Sequence, residues 1–179
     1  MNKTLKIVLT GPESTGKTTL AEKLANHYSL AWTKELAREF VENLNRPYIE
    51  KDVLEIAKLQ ILEENKILNK NHKAVFFDTD LIITKIWLLH VYGKSPNWID
   101  EEIRKNKNCI HLLCYPDLPW LADAVRENSN NRLYLFEKYE TEIINYGFPY
   151  KIIKGNEKER FETAIEFLNL KILGNRGSV

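Results

Sequence analysis

The chain carries at residues 11–18 the stretch Gly11-Pro12-Glu13-Ser14-Thr15-Gly16-Lys17-Thr18, which matches the phosphate-loop pattern G-x-x-x-x-G-K-[ST] at every fixed position. An apolar run at 5–10 precedes it and predicts a buried strand, and the alternation at 17–28 predicts a helix after it. In this order, backbone N–H groups and the positive end of the helix dipole bind phosphates. The stretch therefore predicts a nucleoside triphosphate site rather than an ordinary glycine-bearing turn.

Two loop residues have a predicted chemical role of their own. Lys17 would add a point charge for the outer phosphates and act in catalysis, and the Thr18 hydroxyl would hold Mg²⁺. We expect ATP and Mg²⁺ as cofactors, with the choice between ATP and GTP left open. The residues of this region expected to bind the nucleotide are Gly11, Glu13, Ser14, Thr15, Gly16, Lys17, Thr18 and Thr19.

Length, charge and hydropathy narrow the class of protein. The 179 residues predict one domain over 1–179, and a net charge of +1 provides no broad field for nucleic acid or an anionic membrane. No apolar stretch approaches the roughly 18 residues of a membrane span. Cys109 and Cys114 have opposite parity within one predicted strand, so their side chains would point to opposite faces and stay unbridged. We therefore expect a cytoplasmic protein with no nucleic-acid or membrane partner.

Apolar runs alternate with helical patterns along the chain. The runs predict strands at 5–10, 30–33, 74–77, 109–114 and 150–153. The helical patterns predict helices at about 17–28, 35–45, 50–71, 80–91, 98–106, 118–126, 131–146 and 157–172. This alternation predicts an α/β P-loop NTPase of three layers, α/β/α, with a five-stranded parallel sheet and a helical lid at about 117–132.

Two acids follow the third predicted strand. Asp78 would lie at the carboxyl edge of the sheet, where ligands collect in open α/β folds. This placement predicts a catalytic acid that supports magnesium, while Asp80 could approach the acceptor and act on its hydroxyl group. The alternative for both residues is an N-cap of the helix that begins near Leu81.

A charged group follows the second predicted strand. Glu35 would emerge across from the phosphate loop, where small-molecule kinases often place a general base or a hydroxyl-binding acid. Arg38, three residues later, would face the same pocket and contact the substrate. The alternative is a plain surface helix, because acids also favour a first turn. The choice between Glu35 and Asp80 as general base stays open.

Two arginines follow the fourth predicted strand, in the segment where phosphotransferases close a mobile lid over the triphosphate. Arg126 and Arg132 are predicted to bind the nucleotide, and Arg126 also to stabilise the charge that builds during transfer. The alternative is an amphipathic surface helix with solvated arginines.

Three further residues are candidates for ligand contact. Trp87 and Tyr92 could stack on a flat heterocyclic acceptor or belong to the core. Asn156, after the last strand, could approach the adenine ring or cap the helix that follows. The chain contains no H-x-G-H signature, which counts against a nucleotidyltransferase.

Together these motifs resemble the ribosylnicotinamide kinase domain of bacterial NAD-salvage proteins, within the P-loop kinase superfamily. The resemblance spans about residues 5–170. Besides the phosphate loop, the matching pieces are Glu35-Leu36-Ala37-Arg38-Glu39-Phe40, Phe77-Asp78-Thr79-Asp80 with Thr84, Tyr92-Gly93, and Pro119-Trp120 with Asp123 and Arg126.

The resemblance implies ATP- and magnesium-dependent phosphorylation of the 5′-hydroxyl of nicotinamide riboside, giving nicotinamide mononucleotide. Thr18 and Asp78 would then serve magnesium, and Arg126 would steady the transferred phosphoryl group. Two departures stand out: the family often has an aromatic residue where Leu36 stands, and the adenylyltransferase portion is absent. The expected partners are a small-molecule nucleoside and a separate adenylyltransferase acting next in the pathway, and a homo-oligomer stays open.

Two other functions share these motifs. A deoxynucleoside or nucleoside monophosphate kinase has the same loop, acids and lid. A regulatory P-loop switch would bind ATP only to change its grip on a partner, and its slow hydrolysis would ignore every added nucleoside.

Overall fold

The structure is a computed structural model that describes residues 4–70, 72–122 and 130–172. Its strands are β1 (Leu5–Thr10), β2 (Ala31–Thr33), β3 (Ala74–Asp78), β4 (Cys109–Cys114) and β5 (Tyr150–Ile153). Its helices are α1 (Lys17–Tyr28), α2 (Leu36–Glu42), α3 (Glu50–Leu68), α4 (Leu81–Tyr92), α5 (Asn97–Lys105), α6 (Arg132–Asn145) and α7 (Glu157–Ile172). Every predicted strand forms within one residue of its predicted bounds.

The five strands form one parallel sheet in the order β2-β3-β1-β4-β5. The strand that leads into the phosphate loop, β1, therefore lies at the centre between β3 and β4. Leu9 pairs with Asp78 on one side and with Leu112 on the other. The carboxyl ends of the three central strands thus meet at one edge, where open α/β sheets bind ligands. The predicted α/β class and parallel sheet are confirmed.

Helices cover both faces of the sheet. Ile7 and Leu9 of β1 pack on the face covered by α1 and α7. Leu113 of β4 packs on the opposite face with residues of α3, α4, α5 and α6. Because both faces are buried there, the central strands β1, β3 and β4 consist mostly of apolar residues and do not alternate between apolar and polar ones. Cys109 and Cys114 are buried free thiols, as their spacing predicted.

The predicted helix at 118–126 is wrong over its described part, because residues 118–122 are not helical. Pro119 disfavours helical geometry at the residue before it. The backbone of this stretch bonds to other parts of the molecule instead: the Leu118 carbonyl accepts from Arg132 at 2.9 Å. The Leu121 N–H donates to Ser14 Oγ at 3.1 Å. Residues 118–121 therefore form a non-helical segment, which we call the strap, that lies against the phosphate loop.

Two other helices end earlier than predicted. The helix predicted at 35–45 spans Leu36–Glu42, and the one predicted at 50–71 ends at Leu68. An asparagine follows each of them, Asn43 and Asn69, and the Asn43 side chain donates to the Glu39 carbonyl at 2.8 Å. Within the described ranges, no helix is both long and apolar enough to cross a membrane.

Candidate active site

The phosphate loop needs glycine at its first position because β4 lies against it. Gly11 has φ 147°, and a Cβ built there would lie 2.6 Å from the Cys114 carbonyl oxygen. No side chain fits at that distance, so the loop starts with its backbone held against the end of β4. Gly16, with φ 73°, then turns the chain into α1.

The helix after the loop begins with its N-terminus available for an anion. Its N-cap is Gly16, which has no side chain to occupy the amide groups of the first turn, and that turn contains no acidic residue. Lys17 Nζ donates to the Pro12 carbonyl at 2.8 Å, as does the Thr15 hydroxyl at the same distance. The loop therefore surrounds a position where the N–H groups of the first turn of α1 and the Lys17 ammonium group meet. Such a position suits a phosphate.

The predicted magnesium pair is brought together. Thr18 Oγ1 donates to Asp78 Oδ2 at 2.5 Å, across the junction of α1 and β3. Asp78 is only 2% exposed, and its Oδ1 has no hydrogen-bond partner among the described residues. Burial raises the pKa of Asp78, while Lys17 and the Thr18 hydroxyl act in the opposite direction. A buried carboxylate oxygen beside a hydroxyl is a donor set that fits a hard cation such as Mg²⁺.

A cavity of about 610 Å³ opens above the loop. The predicted site residues that line it are Gly11, Glu13, Ser14, Thr15, Gly16, Lys17, Thr18, Thr19, Glu35, Arg38 and Trp87. The phosphate loop and the residues after β2 therefore face one space, as the sequence predicted for a donor and an acceptor half.

Glu35 occupies the N-cap position of α2, with extended backbone geometry that turns its side chain into the cavity. Burial raises the pKa of its carboxyl group, and Lys17 partly offsets this effect. Arg38, one turn later, lines the same wall and pairs with Glu42 at 3.3 Å. A carboxylate with a raised pKa that faces a phosphate-binding lysine is suited to accept a proton from a hydroxyl group.

Three predicted ligand contacts lie elsewhere. Asp80 is 4% exposed and caps α4, accepting from the Ile82 N–H at 3.1 Å, so the capping alternative describes it. Tyr92 packs with the core beneath α3 to α6. Asn156 caps α7 through its Oδ1, which accepts from the N–H groups of Lys158 and Glu159. None of the three lines the cavity. Short polar side chains directly before a helix accept hydrogen bonds from the otherwise unpaired N–H groups of its first turn. Asp80 and Asn156 therefore cap helices and do not contact the cavity.

The two predicted arginines have different outcomes. Arg132 donates to the carbonyls of Leu118 and Ser14, and its guanidinium lies 6.0 Å from the Trp120 ring centroid. It therefore fastens the strap at 118–121 to the phosphate loop, instead of lining the cavity. Arg126 lies within 123–129, outside the described residues, so its role stays a prediction.

Arg160 is a site residue that the sequence patterns missed. It is 3% exposed and donates to the carbonyls of Thr15 at 3.0 Å, Tyr115 at 2.8 Å and Gly155 at 2.7 Å. It also pairs with Asp117. One guanidinium thus joins the phosphate loop to the segments after β4 and β5, using the fork of donors that distinguishes arginine from lysine.

A signal for Arg160 exists in the sequence. Ala164 and Leu168 follow it at steps of four, which places a cation in the buried stripe of α7. A charge on an apolar helix face is unusual unless it has buried partners.

The wall away from the loop was predicted only in part, through Trp87. Tyr48 and Trp87 form an edge-on aromatic pair with ring centroids 4.9 Å apart, and both line the cavity. Thr84 Oγ1 donates to Gln60 Oε1 at 3.2 Å beside them. Tyr48 and Gln60 belong to no motif, because only the packing of α3 on α4 brings them to the site.

A loop shaped for phosphates shares its cavity with a carboxylate able to orient a hydroxyl, and this combination defines a P-loop phosphotransferase. The chain belongs to the AAA domain family, whose model AAA_28 matches residues 6–160.

Similarity to known proteins agrees with this assignment. The chain is 25% identical over 126 residues to the trifunctional NAD biosynthesis/regulator protein NadR of Salmonella typhimurium (strain LT2), covering 67% of this chain and 30% of NadR. It therefore spans less than a third of that relative. This likeness confirms the predicted resemblance to a ribosylnicotinamide kinase domain.

Solved structures share the fold. The crystal structure of NadR in complex with NR aligns with a TM-score of 0.76 at 19% identity, covering 96% of this chain and 51% of that chain. Deoxyadenosine kinase from M. mycoides, with dCMP and dCDP bound, aligns with a TM-score of 0.63 at 16% identity, covering 92% of this chain and 99% of that chain.

Proposed function

We propose that the protein phosphorylates the 5′-hydroxyl of nicotinamide riboside (NR) with ATP and Mg²⁺, giving nicotinamide mononucleotide. The observation that carries this proposal is the shared cavity, in which the phosphate loop faces Glu35 and the Tyr48–Trp87 pair. The sequence resemblance to NadR, and the structure of NadR with NR, favour this acceptor.

The donor half would bind ATP through the loop amides and Lys17. Thr18 and Asp78 would hold Mg²⁺, which supplies charge neutralisation for the outer phosphates. Arg126, as predicted from the sequence, would steady the transferred group. Lys17 Nζ donates to the Pro12 carbonyl at 2.8 Å, and it would turn from this carbonyl to a phosphate oxygen when ATP binds.

In the acceptor half, Glu35 would accept the proton of the ribose 5′-hydroxyl. The hydroxyl oxygen then forms a bond to the γ-phosphorus as the bond to the ADP oxygen breaks, and ADP leaves with that electron pair. Arg38, on the same helix, lies one turn from Glu35 and can hold the remaining ribose hydroxyls. Tyr48 and Trp87 offer apolar faces for a flat ring. The mononucleotide product would be the substrate of an adenylyltransferase.

One other acceptor has support from the structure. The likeness to deoxyadenosine kinase favours a deoxynucleoside as the alternative, because that fold uses the same arrangement of sheet and helices. The two acceptors differ in the base that Tyr48 and Trp87 would contact and in the 2′-hydroxyl, which a deoxynucleoside lacks.

Release of ADP from Mg·ATP tests the proposal, measured with NR, each common nucleoside and deoxynucleoside, nucleoside monophosphates, and buffer alone. We expect NR to raise the rate many-fold above buffer. The Lys17→Ala variant, prepared in parallel, measures contaminating activity. If a deoxynucleoside raises the rate and NR does not, the acceptor is wrong. Slow hydrolysis that ignores every acceptor would instead support a nucleotide-dependent switch.

A further inference from the structure

A group of polar side chains is buried under the sheet, on the face covered by α3 and α4. We call it the buried polar cluster; its members are Lys6, Thr10, Glu64, Asp80 and His111. All five side chains are excluded from water, and none lines the cavity. Buried charges are costly unless they are paired, so such a cluster needs a reason beyond packing.

The ion pairs of the cluster converge on one lysine. Lys6, the second residue of β1, places Nζ 2.6 Å from Glu64 Oε2 and 3.9 Å from Asp80 Oδ2. Burial alone would lower the pKa of Lys6, but the Glu64 and Asp80 carboxylates raise it above its ordinary value. The cation therefore ties together the central strand, the C-terminal part of α3 and the start of α4.

A histidine extends the cluster to the phosphate loop. His111 Nδ1 shares a 2.8 Å hydrogen bond with Thr10 Oγ1, and its Nε2 lies 4.0 Å from Asp80 Oδ2. Burial lowers the pKa of His111 to about 3, so the ring is neutral at physiological pH. Thr10 is the last residue of β1 and precedes Gly11 directly. A continuous set of contacts thus links the start of the loop to Asp80.

The turn that follows Asp78, at Thr79 and Asp80, is held from the face of the sheet that contains the buried polar cluster. Thr79 adopts φ 78°, an unfavourable backbone geometry for a residue with a branched side chain. Its N–H donates to the Leu9 carbonyl at 3.1 Å, and Asp80 closes the turn through its cap on α4. A strained turn persists only when its surroundings hold it, and the Lys6–Asp80 contact is part of what holds this one.

We propose that Lys6 and Asp80 are positioning residues for phosphoryl transfer: the buried polar cluster orients the Asp78 carboxylate toward Thr18 from the opposite side of the sheet. This inference rests on the phosphotransferase function but not on the identity of the acceptor. It predicts that the charge of Asp80 matters for the metal-dependent part of nucleotide binding, although Asp80 touches neither ligand. The capping hydrogen bond alone would not need that charge, because asparagine caps a helix equally well.

The test uses Asp80→Asn, which keeps the cap and the side-chain size but removes the charge. Calorimetry measures the affinity for a non-hydrolysable ATP analogue with and without Mg²⁺. We expect the gain in affinity on adding Mg²⁺ to fall by about 10-fold, with metal-free affinity nearly unchanged, as for the loss of a supporting contact behind a metal ligand. The kcat should fall in parallel while the acceptor KM stays the same.

A second variant tests the same contact from the side of the lysine. Lys6→Met with Glu64→Gln removes the cation without leaving Glu64 as an unpaired buried charge, and it should reproduce the Asp80→Asn defect. The matched controls are Lys85→Met and Asp100→Asn. Lys85 likewise lies between two carboxylates, Asp100 at 2.8 Å and Glu142 at 2.5 Å, and like the cluster it does not line the cavity, but its ion pairs do not include Asp80. The gain from Mg²⁺ should be unchanged in both controls.

Three results would overturn the proposal. An unchanged Mg²⁺ gain in folded Asp80→Asn would leave Asp80 as a helix cap only. A raised acceptor KM with the Mg²⁺ gain intact would make it an acceptor contact. An equal loss in the Asp100→Asn control would show a general effect of buried charge. Since the calorimetry needs no acceptor, it remains informative even if NR is not phosphorylated.

Discussion

The Asp78 carboxylate is deeply buried, and one of its oxygens has no hydrogen-bond partner within the described part of the chain, which gives a sharp prediction at the scale of one residue. Asp78→Asn keeps the size of the side chain and one acceptor, but removes the charge that would hold Mg²⁺. We expect kcat to fall by at least about 100-fold, equivalent to about 2.7 kcal/mol. Thermal unfolding should change far less, because burial already disfavours the charged form.

The control for this variant is Asp100→Asn, where the carboxylate pairs with Lys85 and Tyr146 away from the cavity. Steady-state kinetics and the melting temperature of both proteins decide the outcome. A turnover equal to that of the unaltered protein would remove Asp78 from the mechanism.

Glu35 gives a prediction about pH dependence. Burial raises the pKa of its carboxyl group, and a general base must be deprotonated, so activity is lost as pH falls through that raised pKa. The acid limb of kcat/KM should therefore lie above the ordinary glutamate value of about 4.3. Glu35→Gln should lower kcat by roughly 100-fold or more and abolish this limb.

The matched control is Glu39→Gln, an exposed acid on the same helix. Its pH profile should overlay that of the unaltered protein. If kcat falls no further in Glu35→Gln than in Glu39→Gln, the base is another residue.

At the scale of elements, α7 holds the ligand-binding edge of the sheet together. Arg160 bonds three carbonyls that belong to the phosphate loop and to the segments after β4 and β5. Lysine keeps the charge but cannot form this fork of hydrogen bonds. Arg160→Lys should therefore lower stability by roughly 2–3 kcal/mol, the scale of hydrogen bonds to a buried charged group.

The same variant should weaken ATP binding, because the Thr15 carbonyl in the loop loses its partner. Chemical denaturation and nucleotide titration measure the two effects. Lys158→Ala, at an exposed position of the same helix, is the control. A stability loss without a change in ATP affinity would mean that the loop keeps its shape unaided.

At the scale of the whole molecule, the parts predicted from sequence are those encoded locally. The strands are apolar because both faces of the sheet are buried, and the phosphate loop is contiguous in the chain. The residues missed, Arg160, Tyr48 and Gln60, reach the cavity only through the packing of distant helices. Asp80 was expected in the cavity because it follows Asp78 closely, but its carboxylate instead accepts a hydrogen bond from the first turn of α4.

The wrong helix at 118–126 has a similar explanation. Its described part has a plausible helical pattern in isolation, but Ser14 and Arg132 supply hydrogen-bond partners for its backbone. Contacts with residues far away in the chain thus override a local preference. No periodicity within the segment could indicate them.

The central place of β1 has a consequence for how the site comes into existence. The ribosome makes the phosphate loop before the strand ends that flank it, in β3 and β4, and it makes Arg160 later still. A nascent chain that ends before α7 therefore lacks the Arg160 hydrogen bond that holds the phosphate loop. Tight nucleotide binding would then appear only late in synthesis. A bound nucleotide would indicate that β3 and β4 have already paired with β1.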